Sequence, residues 1–366
     1  MTMSLQLPLG PLFVGLIEEN AGFYDSHYAL TPDDRAILED PLVGGVILFD
    51  RNFESREQLT ALVADIRRLR NPALLVAIDQ EGGRVQRLNR DGFSMISPMD
   101  ELGLLYDKDP EEALDAAEQI GSLVASELLS IGIDLSYAPV LDINANRSSI
   151  IGTRAFHENP HVIAQLAEHF ILGMHRAGMA AVGKHFPGHG HVVEDSHEEL
   201  PTDERLLDTI QELDVYPYQY LIACGLLDAV MTAHVVYKEA DAVAATFSPF
   251  WLQRVLRHDL GFQGVIFSDD ILMHATDVMG TPLERTCLAQ KAGCDMVLVC
   301  NDRAVVKTIL ADTIYRENSL KEANSRHERL LQLRRYQKNS MTWDNLVESN
   351  DYKIAQDALN SLKEVR

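Results

Sequence analysis

The stretch LLVAIDQEGGRVQR, residues 74–87, sets five apolar residues in a row and turns abruptly polar at Asp79. A run that short, bounded by turn residues, reads as a buried strand that ends where its reactive side chains begin. Similar runs recur at 12–17, 45–49, 135–141, 180–185, 229–234, 264–268 and 295–299, which makes eight. Between them lie helical patterns. Leu59, Leu62, Val63, Ile66 and Leu69 fall at three- and four-residue spacing, with Arg56, Glu57, Arg67 and Arg70 elsewhere around the helix, and a second pattern covers 111–129. Strands buried on both faces and alternating with helices build parallel βαβ units, and eight of them predict an α/β fold of the closed (β/α)8 TIM-like barrel type in a single domain. An open doubly wound sheet is the runner-up. No GxGxxG or GxxxxGK[ST] follows the first run, which lowers that alternative together with nucleotide binding.

No Pro/Ser-rich linker divides the chain, so residues 1–340 are expected to form the barrel and 341–366 a helical tail. Beyond Val299 the sequence is helical and charged. Its basic residues Arg326, Arg329, Arg334, Arg335 and Lys338 read as a solvated helix face in preference to a docking surface.

With 366 residues and 46% hydrophobic content the chain can bury a large core. Against 55 Asp plus Glu stand only 32 Lys plus Arg, and the net charge of −23 repels phosphate backbones and anionic lipid surfaces. The expected partner is therefore a small-molecule substrate, with no nucleic acid and no membrane, and the chain is expected to act as a monomer. Cys224, Cys287, Cys294 and Cys300 lack CxxC spacing, a pattern that suits a reducing compartment. The first residues lack the basic segment and cleavage site of a secretory signal, so a cytoplasmic location is expected.

Barrel sites gather at the C-terminal ends of strands, and reactive residues stand there repeatedly: Asp79, Asp142, Lys184 with His185, His234, and Asp269 with Asp270. One such residue is ordinarily a helix cap or a solvated loop group. Recurrence at five run ends is not ordinary. The densest segment is KHFPGHGH, residues 184–191, followed by EDSH at 194–197, which gathers four of the thirteen histidines. One reading is a zinc site formed by His185, His189, His191 and Asp195. The glycines and the proline make this a turning loop, however, and no HExxH helix is present. Acid/base chemistry is the preferred reading, with Asp195 orienting His197 and stabilising its protonated form. Neither a metal nor a cofactor is then required. Asp269 supplies a carboxylate for covalent catalysis, while Asp270 has helix capping as its plain alternative.

The motifs KHFPGHG with DSH, DQEGGRVQR, GTRAF at 152–156 and GVIFSDD at 264–270 together resemble glycoside hydrolase family 3, and within it the single-domain bacterial β-N-acetylhexosaminidases. The resemblance covers residues 10–340. It implies Asp269 as nucleophile, His197 as general acid/base with Asp195 as its partner, and Asp79, Arg87, Arg154, Lys184 and His185 as the residues that grip the sugar. It further implies release of N-acetylglucosamine from its disaccharide with 1,6-anhydro-N-acetylmuramic acid, with or without peptide, in peptidoglycan recycling. Many relatives take a glutamate acid/base from a second domain. This sequence is expected to hold none, in agreement with a loop histidine in that role. The nearest rivals are another family 3 hexosidase, such as a β-glucosidase, a glycoside phosphorylase, and a sugar-binding sensor without turnover.

Overall fold

Each of the eight apolar runs forms a strand: β1 (Leu12–Gly15), β2 (Val43–Leu48), β3 (Leu75–Ile78), β4 (Leu135–Ser136), β5 (Val182–Phe186), β6 (Ala229–Thr232), β7 (Val265–Asp270) and β8 (Met296–Val299). The computed structural model describes residues 8–17, 26–148, 150–193, 200–321, 323–337 and 341–365, with backbone only at 323–325. The sheet runs β4-β3-β2-β1-β8-β7-β6-β5, with every neighbouring pair parallel. Its two ends meet. Val140 bridges Lys184 in parallel, and the Leu141 amide donates to the Lys184 carbonyl at 2.7 Å, so the sheet closes into a (β/α)8 barrel.

That seam accounts for the one strand much shorter than its apolar run. Residues 135–141 begin as a partner of β3 and cross over to β5, and Pro139, which has no N–H to donate, lies at the crossing. The barrel interior is packed, with the rings of Phe13, Tyr137 and Phe267, from β1, the β4 seam and β7, meeting edge to face at 5.5–6.2 Å. Outside it, the helix Arg56–Arg68 buries Leu59, Leu62, Val63 and Ile66, and Pro110–Ser130 covers the second patterned stretch.

The arginines beyond Val299 do not form a solvated face. Arg329 pairs with Asp295 at 2.5 Å, Arg334 with Asp134 at 2.7 Å and Arg335 with Asp228 at 2.6 Å, while Arg326 is buried. Each of those aspartates is itself buried, which made a partner for its charge obligatory. Lys338 lies outside the described residues.

Candidate active site

At the C-terminal end of β3 the chain makes a tight hairpin, Gln80–Gly82 against Val85–Gln86. Gly82 and Gly83 supply its positive φ values of +107° and +55°, and a Cβ on Gly82 would stand 2.6 Å from the Ser97 carbonyl oxygen. The hairpin returns Arg87 to Asp79, whose Oδ2 accepts from the guanidinium at 3.4 Å. From β5, the next strand beyond β4, Lys184 donates to Asp79 Oδ1 at 2.9 Å and reaches Glu81 Oε1 at 2.5 Å. Arg154 completes the group with a fork, Nε and Nη2 each donating to one Glu81 oxygen at 2.8 Å.

Burial opposes the charge on both carboxylates. For Asp79 the Lys184 ammonium and the Arg87 guanidinium outweigh that penalty and hold the carboxyl well below the usual range. For Glu81 the Arg154 and Lys184 charges do the same, down to about 2. The result is a rigid ionised clamp with donors and acceptors interleaved, which is what a ring of sugar hydroxyls requires.

Asp142, just past the barrel seam, is the hub of the next group. Its Oδ2 accepts from His185 Nδ1 at 2.6 Å, and its Oδ1 accepts from the amides of His185 at 3.2 Å and His189 at 2.7 Å. Burial is again outweighed, here by the facing His185, and the carboxyl sits at about 2. His189 moves the other way, pushed down to about 4 by burial and by its neighbour His185. Gly190 lets the two loops touch, since a Cβ there would lie 1.8 Å from the Ile143 carbonyl oxygen.

Asp269, the last residue but one of β7, stands at the same end of the barrel, with its Oδ1 accepting from the Asp270 amide at 2.8 Å. Burial, and after it the neighbouring Cys300, Asp79 and Asp269, push the Tyr137 hydroxyl far above its ordinary pKa. Asp270 faces away from this role. Its carboxylate accepts from the Leu272 and Cys300 amides at 3.1 and 3.3 Å and from Asn301 Nδ2 at 3.3 Å, and burial still pushes it up to about 6.

Asp79, Arg87, Arg154, Lys184, His185 and Asp269 thus come together at one end of the barrel. Asp195 and His197 lie outside the described residues. The sequence marks Asp142 only as a residue at a run end and gives no role to Glu81, three positions past Ile78; their importance lies in which cations they reach, and spacing does not show that. Among the described residues no group of three His, Cys, Asp or Glu side chains is placed to hold a metal ion.

The chain is similar to known proteins in sequence and in fold. The glycosyl hydrolase family 3 N-terminal domain matches residues 17–333. A β-hexosaminidase of Aromatoleum aromaticum is 51% identical over 294 residues, 80% of each chain, and one of Thioalkalivibrio sulfidiphilus is 45% identical over 91% of this chain and 93% of the relative. The crystal structure of native NagZ from Neisseria gonorrhoeae superposes with a TM-score of 0.86 at 39% identity, covering 98% of both chains. The same protein in complex with N-trifluoroacetyl-D-glucosamine agrees equally well, over 98% of this chain and 99% of that one. The chain belongs to glycosyl hydrolase family 3. Within that family it is a glycoside hydrolase of the β-N-acetylhexosaminidase class.

Proposed function

We propose that the enzyme is a retaining exo-β-N-acetylglucosaminidase of peptidoglycan recycling. It removes N-acetylglucosamine from 1,6-anhydro-N-acetylmuramic acid, with or without attached peptide, and acts in the cytoplasm as a monomer without metal or cofactor. The observation that carries the reading is the position of Asp269, which shares a barrel mouth with the Asp79–Lys184–Glu81–Arg154 clamp. The likeness to a NagZ structure that holds an N-acylated glucosamine supports the sugar.

In this scheme an Asp269 oxygen bonds to the anomeric carbon as the glycosidic C–O bond breaks, while His197 gives its proton to the departing oxygen. His197 then takes a proton from water, the hydroxide oxygen attacks the same carbon, and the ester bond to Asp269 breaks. Net retention follows from the two displacements. A neutral imidazole in place of the usual second carboxylate keeps a further negative charge away from the glycosyl ester and from an anionic leaving group.

The test is a slow fluoro sugar that traps the intermediate, followed by mapping of the labelled peptide, alongside a panel of nitrophenyl sugars with and without phosphate. The label is expected on Asp269, with N-acetylglucosaminide the preferred substrate and phosphate without effect. A label on Asp270, a preference for glucosides, or a requirement for phosphate would overturn the proposal. In the same panel His197→Ala is expected to slow poor leaving groups far more than nitrophenolates, which depart with little proton assistance.

A further inference from the structure

Strand β7 loses its partners just where it presents Asp269. On the β6 side the pairing runs Val265 with Ala229, Ile266 with Val230 and Phe267 with Met231, and goes no further. On the β8 side the register slips between Phe267, opposite Met296, and Asp270, opposite Leu298. Such a bulge re-aims a side chain at the cost of ladder hydrogen bonds, and the groups it leaves must be held by something else. On the β8 side Ser268 does this, with its Oγ accepting from the Leu298 amide at 3.0 Å.

On the β6 side the substitute is His234. Its Nε2 lies 3.0 Å from the Asp270 carbonyl oxygen, which can only accept, so Nε2 carries the hydrogen. Nδ1 faces the Thr246 hydroxyl at 2.9 Å, and that hydroxyl is 2.8 Å from Thr232 Oγ1, the side chain of the last residue of β6. The imidazole stacks on Phe247 with 6° between the ring planes, and His234, Thr232 and Thr246 are all buried. With both ring nitrogens engaged and the ring covered, this histidine is built to hold its position, not to exchange protons with a substrate.

What it holds is one residue from the chemistry. The Asp270 carbonyl is fixed by His234 and by the Met273 amide at 3.1 Å, and the Asp270 N–H fixes Asp269 Oδ1 at 2.8 Å. We propose that His234, locked by Thr246 and Thr232, is a positioning residue that replaces the missing β6 ladder and aims the Asp269 carboxylate at the anomeric carbon. The inference rests on the reading of Asp269 as nucleophile.

The closing experiment compares His234→Phe, which keeps the stack on Phe247 but cannot donate, with His234→Gln, whose amide N–H stands close to where Nε2 was. Each is assayed for steady-state kinetics on N-acetylglucosaminides, for the rate of labelling by the slow fluoro sugar, and for N-acetylglucosamine binding. A misaimed nucleophile loses rate without losing affinity. His234→Phe is expected to lower kcat and the labelling rate by about 10- to 100-fold with KM within about twofold, and His234→Gln to recover most of the loss. Thr246→Val, a smaller change that leaves the imidazole in place without its lock, is expected to show a milder loss of the same kind, and it serves as the test where His234→Phe fails to fold. Wild-type labelling rates in folded variants, a raised KM at unchanged kcat, or no recovery with Gln would overturn the proposal. Full activity in Asp269→Ala would remove the nucleophile itself, and the two failures are thereby told apart.

Discussion

Glu81 receives the whole Arg154 fork and the Lys184 ammonium, so one carboxylate aims two of the donors proposed to meet the sugar. Replacing it by Gln leaves Lys184 with Asp79 alone and sets an amide N–H against the fork. Removing one partner from a buried ionic group costs on the order of 3 kcal/mol, and the loosened donors are expected to raise KM as well. The pH dependence follows from the same contacts. Glu81 and Asp142 both sit at about 2 in the folded chain, so the unfolded chain binds more protons between its ordinary carboxylate range and that value. Their stabilisation is complete above about pH 5 and is lost as the pH falls through 4 towards 2. Acid unfolding of wild type should therefore be steep in that window, and shallower in Glu81→Gln. Equal slopes would show that the clamp contributes nothing to acid stability.

At the scale of elements, the barrel strands were legible because a strand buried on both faces leaves an unbroken apolar run, and such runs need no partner to be seen. The β4 seam was not, because 135–141 is apolar throughout while its hydrogen bonds switch neighbours midway. The clamp was half legible. Asp79, Lys184 and Asp269 stand at strand ends, but the role of Asp142 depends on His185, 43 positions away on β5, being brought against it. Helix Asn350–Leu362 shows the same limit. Its Ala355, Leu359 and Leu362 join the core, and its Tyr352 hydroxyl donates at 3.0 Å to Glu127, a buried carboxylate in the last turn of Pro110–Ser130. Ser94 donates to the same group through its amide and hydroxyl. Burial nevertheless pushes Glu127 up to about 7. A raised carboxyl means that the folded chain holds the proton more tightly, so stability declines as the pH rises from the ordinary 4.5 to about 7. Glu127→Gln removes that decline. The variant should gain on wild type by on the order of 2 kcal/mol between pH 5 and pH 8, read as a widening difference in Tm. Parallel Tm curves would show that Glu127 does not titrate in this range.

For the molecule as a whole, the end of the barrel opposite the clamp is tied by ions. The even strands follow Asp40, Asp134, Asp228 and Asp295, and each of these meets an arginine from residues 316–335: Arg316 at 2.5 Å, Arg334 at 2.7 Å, Arg335 at 2.6 Å and Arg329 at 2.5 Å. Three of the aspartates also accept from a backbone amide in or just before the preceding strand, Val76, Ala181 and Ile266, at 2.8–2.9 Å. Each thus joins two strands and the C-terminal segment in one contact. A barrel divides its labour by end, with chemistry at the C-terminal mouth and cohesion at the N-terminal one. Arg334 is the strongest test, because it also donates to the Ala73 and Leu74 carbonyls at 2.9 and 2.8 Å and Asp134 is fully buried. Arg334→Ala should destabilise the chain by on the order of 3 kcal/mol, with Arg334→Lys recovering little because an ammonium cannot make the fork. Both variants should keep wild-type kcat and KM well below their Tm, since the clamp and Asp269 lie at the other mouth. A double-mutant cycle with Asp134→Asn is expected to show strong coupling in stability and none in turnover. Loss of kcat in fully folded Arg334→Ala would mean that the two ends of the barrel communicate, and the division of labour would have to be given up.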